Sequence, residues 1–417
     1  MRKSKKCVEV KSDSILNIQF LKIFYLYPVI DPNTNYNTIC GYNIYLILHE
    51  ALKVIIAIVL IISITGFFFG IHDLNFVINS SNIIICAILD ITKVSRFTRT
   101  PHKVWNLISM INIDIFKNGH YRNDIVELYK NKITKYTILN TAAWLLVLLF
   151  YLCGPIFVHR FTVKSNDDHI IVYPYNVINL LYQPLSIENY TNFYIMFYIL
   201  EAFSVVHSIT MCIIFDNFVI SLGLTVLAQL KTIESTLHTF GHQPNNKNVD
   251  LNLFKYKFSS ILSDHQKVMV HKNEFYNISK SIVLLQIAVC SVTLNTISCL
   301  CILAYVQNIP SLSYLTIKNI VAITMIIIQL YSYCVLFGKI DQQTSSMNFA
   351  YYSCNWTSKD THFKKLLLLA MITSSANQVK MKVTPLKKVN LEMFLNTINT
   401  SYSIISLFIQ KNHKKMT

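Results

Sequence analysis

The sequence predicts an all-α integral membrane protein with seven transmembrane helices, a cytoplasmic N-terminus, an outer C-terminus and a cytoplasmic helical anchor bundle. Two observations support this fold class. The 417 residues are 53% hydrophobic and only 14% charged, with a mean hydropathy of +0.42, a composition typical of membrane proteins. The basic residues are also concentrated in alternate gaps between apolar segments, and this bias orients the chain in the bilayer.

Seven apolar segments are long enough to cross the hydrocarbon, which requires roughly 20 residues of helix. They are Val54–Ile71, Leu74–Ile91, Thr137–Val158, Phe193–Ile214, Ser281–Val306, Asn319–Phe337 and Val389–Ile409. Most of the 37 Lys and Arg residues precede the first segment or lie in the second, fourth and sixth gaps. These regions are therefore expected to be cytoplasmic. The basic cluster Lys411–Lys415 lies against this bias, on the predicted outer side.

The inner connections are long and carry helical periodicity of their own. Apolar residues recur at helical spacing through residues 218–240, through residues 254–275 and around Phe363–Met371. We expect the late helices to extend into the cytoplasm and form the anchor bundle there. The chain is interpreted as a single domain, 1–417, with a cytoplasmic N-terminus at 1–53, helices 1 to 4 at 54–230, and helices 5 to 7 with the anchor segments at 231–417.

Other functional classes find little support in the residues. The basic residues flank apolar spans, where anionic lipid headgroups attract them, so membrane lipid is a more plausible partner than nucleic acid. Neither a phosphate-binding loop nor a hydrolase or metalloprotease motif is present. We therefore predict that the protein is not an enzyme and has no cofactor and no metal site.

Three features suggest candidate functional residues. Glu201 lies within the fourth span, where a carboxyl group suggests either a polar contact in a cavity or a hydrogen bond between helices. Asn189-Tyr190-Thr191 is an N-glycosylation sequon in the longest outer loop. The outer halves of spans two to four combine polar and aromatic groups suited to a small apolar ligand with one polar handle. The ligand-binding candidates are Ser80, Ser81, Ile84, Phe150, Tyr151, Gly154, Phe197, Tyr198 and Glu201.

From the fifth span onward the chain resembles the insect odorant receptors. The resemblance rests on Gln329–Cys334, Gly338, Trp356, Phe363-Lys364-Lys365, Met371, Phe394 and Ser401-Tyr402-Ser403, with Asp264-His265-Gln266 and Leu285-Gln286 before them. It covers about the last 150 residues, and the inverted seven-span orientation agrees with it. One departure is Lys380–Thr384, where family members commonly have a small, Gly-containing segment.

The resemblance implies an odorant-gated, non-selective cation channel in the membrane of a sensory neuron dendrite. In that family a variable subunit binds a small volatile molecule and assembles with a shared co-receptor into a heterotetramer. The last helix lines the central pore, so the resemblance implies that Tyr402, Ile405, Ser406 and Ile409 lie at the pore or gate. The family's odorant site lies among the outer halves of the second, third, fourth and sixth helices, which agrees with the candidates above.

Three other classes of membrane protein share some of these features. A gustatory receptor shares the topology but usually has Thr-Tyr at the start of its last helix, where this chain has Ser401-Tyr402. A G-protein-coupled receptor would require an outer N-terminus and motifs that this sequence does not contain. A membrane transporter would carry intramembrane charge pairs or broken helices, and only Glu201 suggested such a feature.

Overall fold

The computed structural model describes residues 22, 27–30, 38–39, 42–110, 122–164, 170–182, 185–242, 251–306, 314–376 and 378–416. Helices dominate these residues. They are α1 Tyr27–Ile30, α2 Ile44–Phe69, α3 Leu74–Arg99, α4 Pro101–Met110, α5 Asn123–Leu152, α6 Gly154–Phe157, α7 Ile187–Asn192, α8 Tyr194–Thr239, α9 Leu251–Val306, α10 Tyr314–Tyr352, α11 Thr361–Ala376 and α12 Leu391–Met416. The strands are β1 Thr38–Ile39, β2 Tyr42–Asn43, β3 Arg160–Lys164 and β4 Ile170–Pro174.

Six of the described helices are long and apolar enough to cross a membrane, namely α2, α3, α5, α8, α9 and α10. They coincide with the first six predicted spans, and the chain is a multi-pass membrane protein. The seventh predicted span, Val389–Ile409, coincides with α12. Its 26 residues would reach about 39 Å, but the helix is amphipathic and more polar than the other six.

Helix ends follow local chemistry. The carboxylate of Asp73 accepts hydrogen bonds from the backbone N–H groups of Asn75 and Phe76 and so caps α3. Gly70, in the turn before α3, packs against the Phe76 ring. A Cβ added at Gly70 would lie 2.2 Å from that ring, so the turn leaves no room for a side chain at this position. The third predicted span, Thr137–Val158, extends beyond the end of the observed helix. Helix α5 stops at Leu152, since Pro155 has no N–H with which to continue the helical hydrogen bonds, and the chain restarts as the short helix α6.

The predicted helical extensions are confirmed. Helix α8 continues to Thr239, α9 begins thirty residues before its predicted span, and α11 covers the predicted helix around Phe363–Met371. Their inner ends pack with the inner end of α10 around fully buried aromatic side chains, including Phe258, Phe363 and Tyr351. The long inner connections therefore form a bundle whose apolar core is continuous with that of the spanning helices.

Helix α8 is the centre of the molecule. In α8, 89% of the most apolar stretch is buried inside the chain, compared with 22% in α2 and in α5. Peripheral helices instead expose large apolar side chains, such as Ile61 on α2 and Ile138 and Leu139 on α5. Exposing these side chains to water would cost free energy. The same exposure is expected for helices that contact lipid.

A β-hairpin lies in the longest outer loop, between α6 and α7. Strands β3 and β4 pair antiparallel, with Phe161 opposite Tyr173, and these two rings stack at 5.5 Å. The all-α fold class predicted from the sequence did not include this hairpin. The hairpin leads directly into residues 175–182, a segment that turns back into the helical bundle.

Candidate functional site

Residues 175–182, which we call the plug segment, lie between the outer ends of the helices. Tyr175, Asn176 and Val177 are at most 3% exposed. Asn179 adopts a left-handed backbone with φ of 58°, a conformation that Asn tolerates better than most residues. A buried irregular segment needs partners for its backbone groups, and the surrounding helices supply them.

Glu201 of α8 is the main partner of the plug segment. Its carboxylate accepts hydrogen bonds from the backbone N–H groups of Ile178 at 2.7 Å, Asn179 at 3.1 Å and Leu180 at 3.2 Å. It also accepts one from the Tyr182 hydroxyl at 3.2 Å. The side chain is fully buried. The structure thus gives Glu201 a loop-anchoring arrangement, closer to the hydrogen-bonding alternative than to a ligand contact.

Other helices hold the plug segment from different sides. The side-chain amide of Asn79, on α3, donates to the Ile178 carbonyl at 3.2 Å. Lys318, on α10, lies 3.4 Å from the carbonyl of Val177 and 3.4 Å from the Tyr175 hydroxyl. Tyr194 donates to the Tyr175 carbonyl at 2.9 Å. Helices α3, α8 and α10 therefore meet around this segment.

Three of the ligand candidates come together beside the plug segment. Phe150 and Tyr151 end α5, and Gly154 begins α6. The Phe150 ring is 6.4 Å from the ring of Tyr314, and the Tyr151 ring lies 4.1 Å from the Lys318 ammonium. A Cβ at Gly154 would approach the Tyr175 ring to 3.0 Å, so Gly allows the close contact. Tyr175, Tyr314 and Lys318 were not among the sequence candidates.

The remaining candidates are more dispersed. Phe197 is buried and stacks on Tyr182 at 4.0 Å, while the Tyr198 hydroxyl donates to the Leu152 carbonyl at 3.2 Å. On α3, Ser80 is buried and Ile84 half-buried. The Ser81 hydroxyl donates to its own helix, at Val77, at 2.7 Å. All of these lie on helices that surround the plug segment.

A second polar cluster, further toward the inner side, was missed by the sequence analysis. Lys93, Asp90 and Asp216 are at most 2% exposed and lie near one another between α3 and α8. Asp216 accepts hydrogen bonds from Tyr333 at 2.6 Å and Gln329 at 2.7 Å, and Asp90 accepts one from Ser208. Lys93 is one of the basic residues of the second gap, and the structure buries it, with the two acids stabilising its charge inside the bundle.

Asp90 and Lys93 could have been noticed in the sequence. They lie three residues apart, and residues three apart occupy neighbouring positions on one helix face. Asp216 lies just past the predicted end of the fourth span, a boundary that is accurate only to a few residues. A transporter would also carry buried charges, so the cluster alone does not separate the functional classes.

The last helix carries the predicted pore residues. Helix α12 packs against α9 and α10, and its other face is open. Tyr402 is 70% exposed, while Ile405 and Ser406 are half-buried. The side chain of Ile409 lies outside the described residues. The open face also presents Asn396, Asn399, Thr400 and Ser403, which are polar residues on a helix of membrane-spanning length.

Two buried histidines lie in the anchor bundle. His265 receives a hydrogen bond from, or donates one to, the Tyr351 hydroxyl at 2.8 Å, and His271 pairs with the Gln229 side chain at 3.0 Å. Burial lowers the pKa of each imidazole to about 4. The neighbouring Lys272 donates to the Val379 carbonyl at 3.1 Å, and burial lowers its pKa to about 8. These side chains join α9 to the rest of the bundle.

Asn189 is exposed on the short helix α7. Its side chain is thus available on the predicted outer surface, a few residues before the start of α8. Within the part of the chain that the structure describes, no group of three His, Cys, Asp or Glu side chains is arranged to hold a metal ion.

Comparisons with known proteins agree on one family. A family model described as "7tm Odorant receptor" matches residues 73–402. Odorant receptor 10 of Aedes albopictus is 27% identical over 202 residues, which cover 47% of this chain and 50% of that protein. The alignment therefore spans half the length of this curated relative.

Solved structures show the same fold. The insect olfactory receptor OR5 from Machilis hrabei superposes with a TM-score of 0.70 at 12% identity, covering 94% of this chain and 99% of that one. The structure of the same receptor in complex with eugenol gives a TM-score of 0.67 at 11% identity, covering 95% and 98% of the two chains. At this level of identity the likeness concerns the fold.

Proposed function

This chain belongs to the 7tm odorant receptor family, and we propose that it is the odorant-binding subunit of a ligand-gated, non-selective cation channel. The family consists of receptors and not enzymes. The partner in this proposal is a shared odorant co-receptor, with which the chain assembles into a heterotetramer in the cell membrane of a sensory neuron dendrite. Lipid surrounds the exposed apolar faces of the peripheral helices.

The proposed odorant site lies beside the plug segment, among the outer ends of α3, α5, α8 and α10. The Machilis receptor's structure with eugenol supports a small ligand of similar character. Here the aromatic rings of Phe150, Tyr151 and Tyr314 offer an apolar wall. The side chains of Ser80, Ser81, Ile84, Phe197 and Tyr198 are the further candidates. Glu201 acts in this proposal by holding the plug segment in place.

The observation that carries the channel proposal is the open polar face of α12. If α12 crosses a membrane, exposing the Asn396 and Asn399 side chains to hydrocarbon would cost free energy. Those side chains therefore require either water or another subunit. A central pore formed by four such helices provides both. The amphipathic character of α12, which sets it apart from the other six helices, supports this role.

The mechanism follows from the two sites. An odorant that binds more tightly to the open conformation shifts the population toward it. In this proposal α12 then turns and tilts away from the axis, and a ring of Ile405 and Ile409 side chains that excludes water when narrow becomes conductive. The helix has to turn because Ile405 lies about 180° around it from Asn396, so the two side chains do not face the pore together. Tyr402 and Ser406 border that ring. Because α10 carries the outer site and also contacts α12, it is the element that couples ligand to gate.

Whole-cell recording tests the function. The full chain is expressed with and without an insect odorant co-receptor and exposed to a panel of volatile molecules. We expect currents that require the co-receptor and persist when G-protein signalling is blocked. Absence of current across the panel, with the chain present at the cell surface, would contradict the channel proposal. It would favour the gustatory receptor and transporter alternatives.

The gate residue gives a sharper prediction. Ile405→Ala shortens the side chain that is proposed to exclude water, so the resting current should rise or ion selectivity should change. Ile404→Ala is the matched control, because it removes the same atoms about 100° away around the helix. Both variants are recorded without odorant at equal surface expression. Unchanged resting current and selectivity in Ile405→Ala would argue against the gate assignment.

A further inference from the structure

Lys318 is the most unusual charge in the outer half of the molecule. It lies in the first turns of α10, on the side where the positive-inside bias disfavours basic residues, and it is only partly exposed. Among the described residues no carboxylate oxygen lies within 4 Å of its ammonium. Glu201 acts on it only from longer range, because that carboxylate is engaged by the N–H groups of the plug segment.

The contacts that Lys318 does make are weak. Its two oxygen partners, the Val177 carbonyl and the Tyr175 hydroxyl, are both 3.4 Å away, beyond the 2.7 to 3.2 Å typical of N–H···O bonds. The ammonium also lies over the face of the Tyr151 ring, 4.1 Å from its centroid, with the Tyr175 ring at 5.8 Å. A partly desolvated ammonium held in this way still has the capacity to bind an anion.

A second unsatisfied group lies on the same helix face. The Tyr314 hydroxyl is buried and has no hydrogen-bond partner among the described residues. Tyr314 is four residues before Lys318, a spacing that puts both side chains on one face of α10. The Tyr314 ring stacks on Phe157 at 5.1 Å. A hydroxyl donor and an ammonium thus border the aromatic wall of Phe150, Tyr151 and Tyr314, which Phe157 extends.

We propose that Lys318 and Tyr314 form the polar end of the odorant site and select small carboxylic acids, which bind as carboxylates with their apolar body against the aromatic wall. This rests on the proposed odorant-receptor function and names its ligand class. A carboxylate supplies the counter-charge that the protein does not place beside Lys318, and charge-assisted N–H···O bonds are about twice as strong as neutral ones. Esters and amides of the same shape offer an acceptor without the charge.

The test compares acids with neutral isosteres on the full chain expressed with the co-receptor. Hexanoic acid and phenylacetic acid are each paired with their amide and methyl ester, all buffered at pH 7, and concentration–response curves are recorded. For the wild-type chain, each acid should reach half-maximal current at a concentration at least 10-fold lower than its neutral partners. Equal or weaker responses to the acids, in cells that respond to neutral odorants, would overturn the proposal.

Substitutions locate the effect. Lys318→Met keeps the length of the side chain and removes its charge, so the acid curves should shift at least 10-fold to higher concentration while the amide and ester curves shift less. Lys318→Arg should retain part of the preference. Arg160→Gln removes another outer cation, exposed on β3, and should change nothing. An acid preference that survives Lys318→Met would also overturn the proposal.

These experiments distinguish a failure of the proposed receptor function from a failure of the proposed ligand class. Silence toward every odorant in the panel, with surface delivery confirmed, would count against the proposed function itself and the ligand class with it. Currents evoked by neutral odorants, without acid selectivity, would retain the receptor function and reject the role of Lys318.

Discussion

Glu201 shows how one side chain in the bundle determines the position of an entire loop. A buried carboxylate is costly unless its lone pairs are engaged, and the plug segment engages them with three backbone N–H groups and a phenol. In return, a buried irregular backbone acquires the partners that it needs. We therefore treat Glu201 as a positioning residue for the wall of the proposed odorant site.

Glu201→Gln tests that role at the scale of the residue. The amide offers one acceptor oxygen where the carboxylate offers two, so at least one backbone N–H of the plug segment faces an NH₂ group. The lost hydrogen bond should cost about 1–3 kcal/mol and lower the thermal unfolding temperature of the purified chain. Glu188→Gln, at an exposed position on α7, is the control. Equal stability of wild type and Glu201→Gln would reject the anchoring role.

At the scale of the element, α9 joins two environments in one continuous helix. Its outer half is predicted to cross the membrane, and its inner half forms the anchor bundle with α8, α10 and α11. His265, His271 and Lys272 are buried in that inner half. Their contacts with Tyr351, Gln229 and Val379 hold the helix against three other segments.

Acidification should loosen this bundle. Burial lowers the pKa of His265 and His271 to about 4, whereas an unfolded histidine titrates near 6.5. Between these values the unfolded state binds more protons, so stability falls as the pH drops from about 6.5 toward 4. At pH 5 the loss should be about 2 kcal/mol for each histidine, measurable as a lower unfolding temperature.

Matched histidine variants separate this effect from general acid sensitivity. His271→Gln removes one of the two titrating groups, so its unfolding temperature should depend less on pH between 7 and 5 than that of the wild type. His362→Gln changes an exposed histidine on α11 and should leave the dependence as it was. A His271→Gln chain with the full wild-type pH dependence would show that His271 does not contribute.

At the scale of the whole molecule, the orientation in the membrane determines which surfaces meet odorant and which meet the cytoplasm. The basic residues in alternate gaps predict that α7 and the β3–β4 hairpin face outward. The anchor bundle is then cytoplasmic. Glycosylation reports this orientation directly, because the transferase acts only on the lumenal side.

Asn189 is expected to carry an N-linked glycan, since its sequon is exposed on the outer side. Asn189→Gln should remove one glycan and increase electrophoretic mobility to that of the glycosidase-treated chain. The sequons at Asn277 and Asn355 lie in the predicted cytoplasmic part, so Asn277→Gln and Asn355→Gln should leave mobility unchanged. Loss of a glycan in either of these two variants would reverse the proposed orientation.

The sequence by itself determined the membrane class, six of the crossings and the helical extensions of α8, α9 and α11. These features depend on local apolar content and helical periodicity, which a stretch of roughly 20 residues already contains. It also identified the family, through motifs concentrated in the last 150 residues. The ends of helices were less accurate, as α5 shows, because a single Pro-containing turn decides them.

Only the tertiary structure decided which polar groups meet. Glu201 contacts a segment about twenty residues earlier in the chain, Lys93 lies beside Asp216, and Lys318 meets Tyr151 and the Val177 carbonyl. Such pairs join residues on different elements of the structure, and hydropathy carries no information about which of them pack together. A charge buried away from water requires a partner inside the protein. Helices far apart in sequence supply that partner when they pack together.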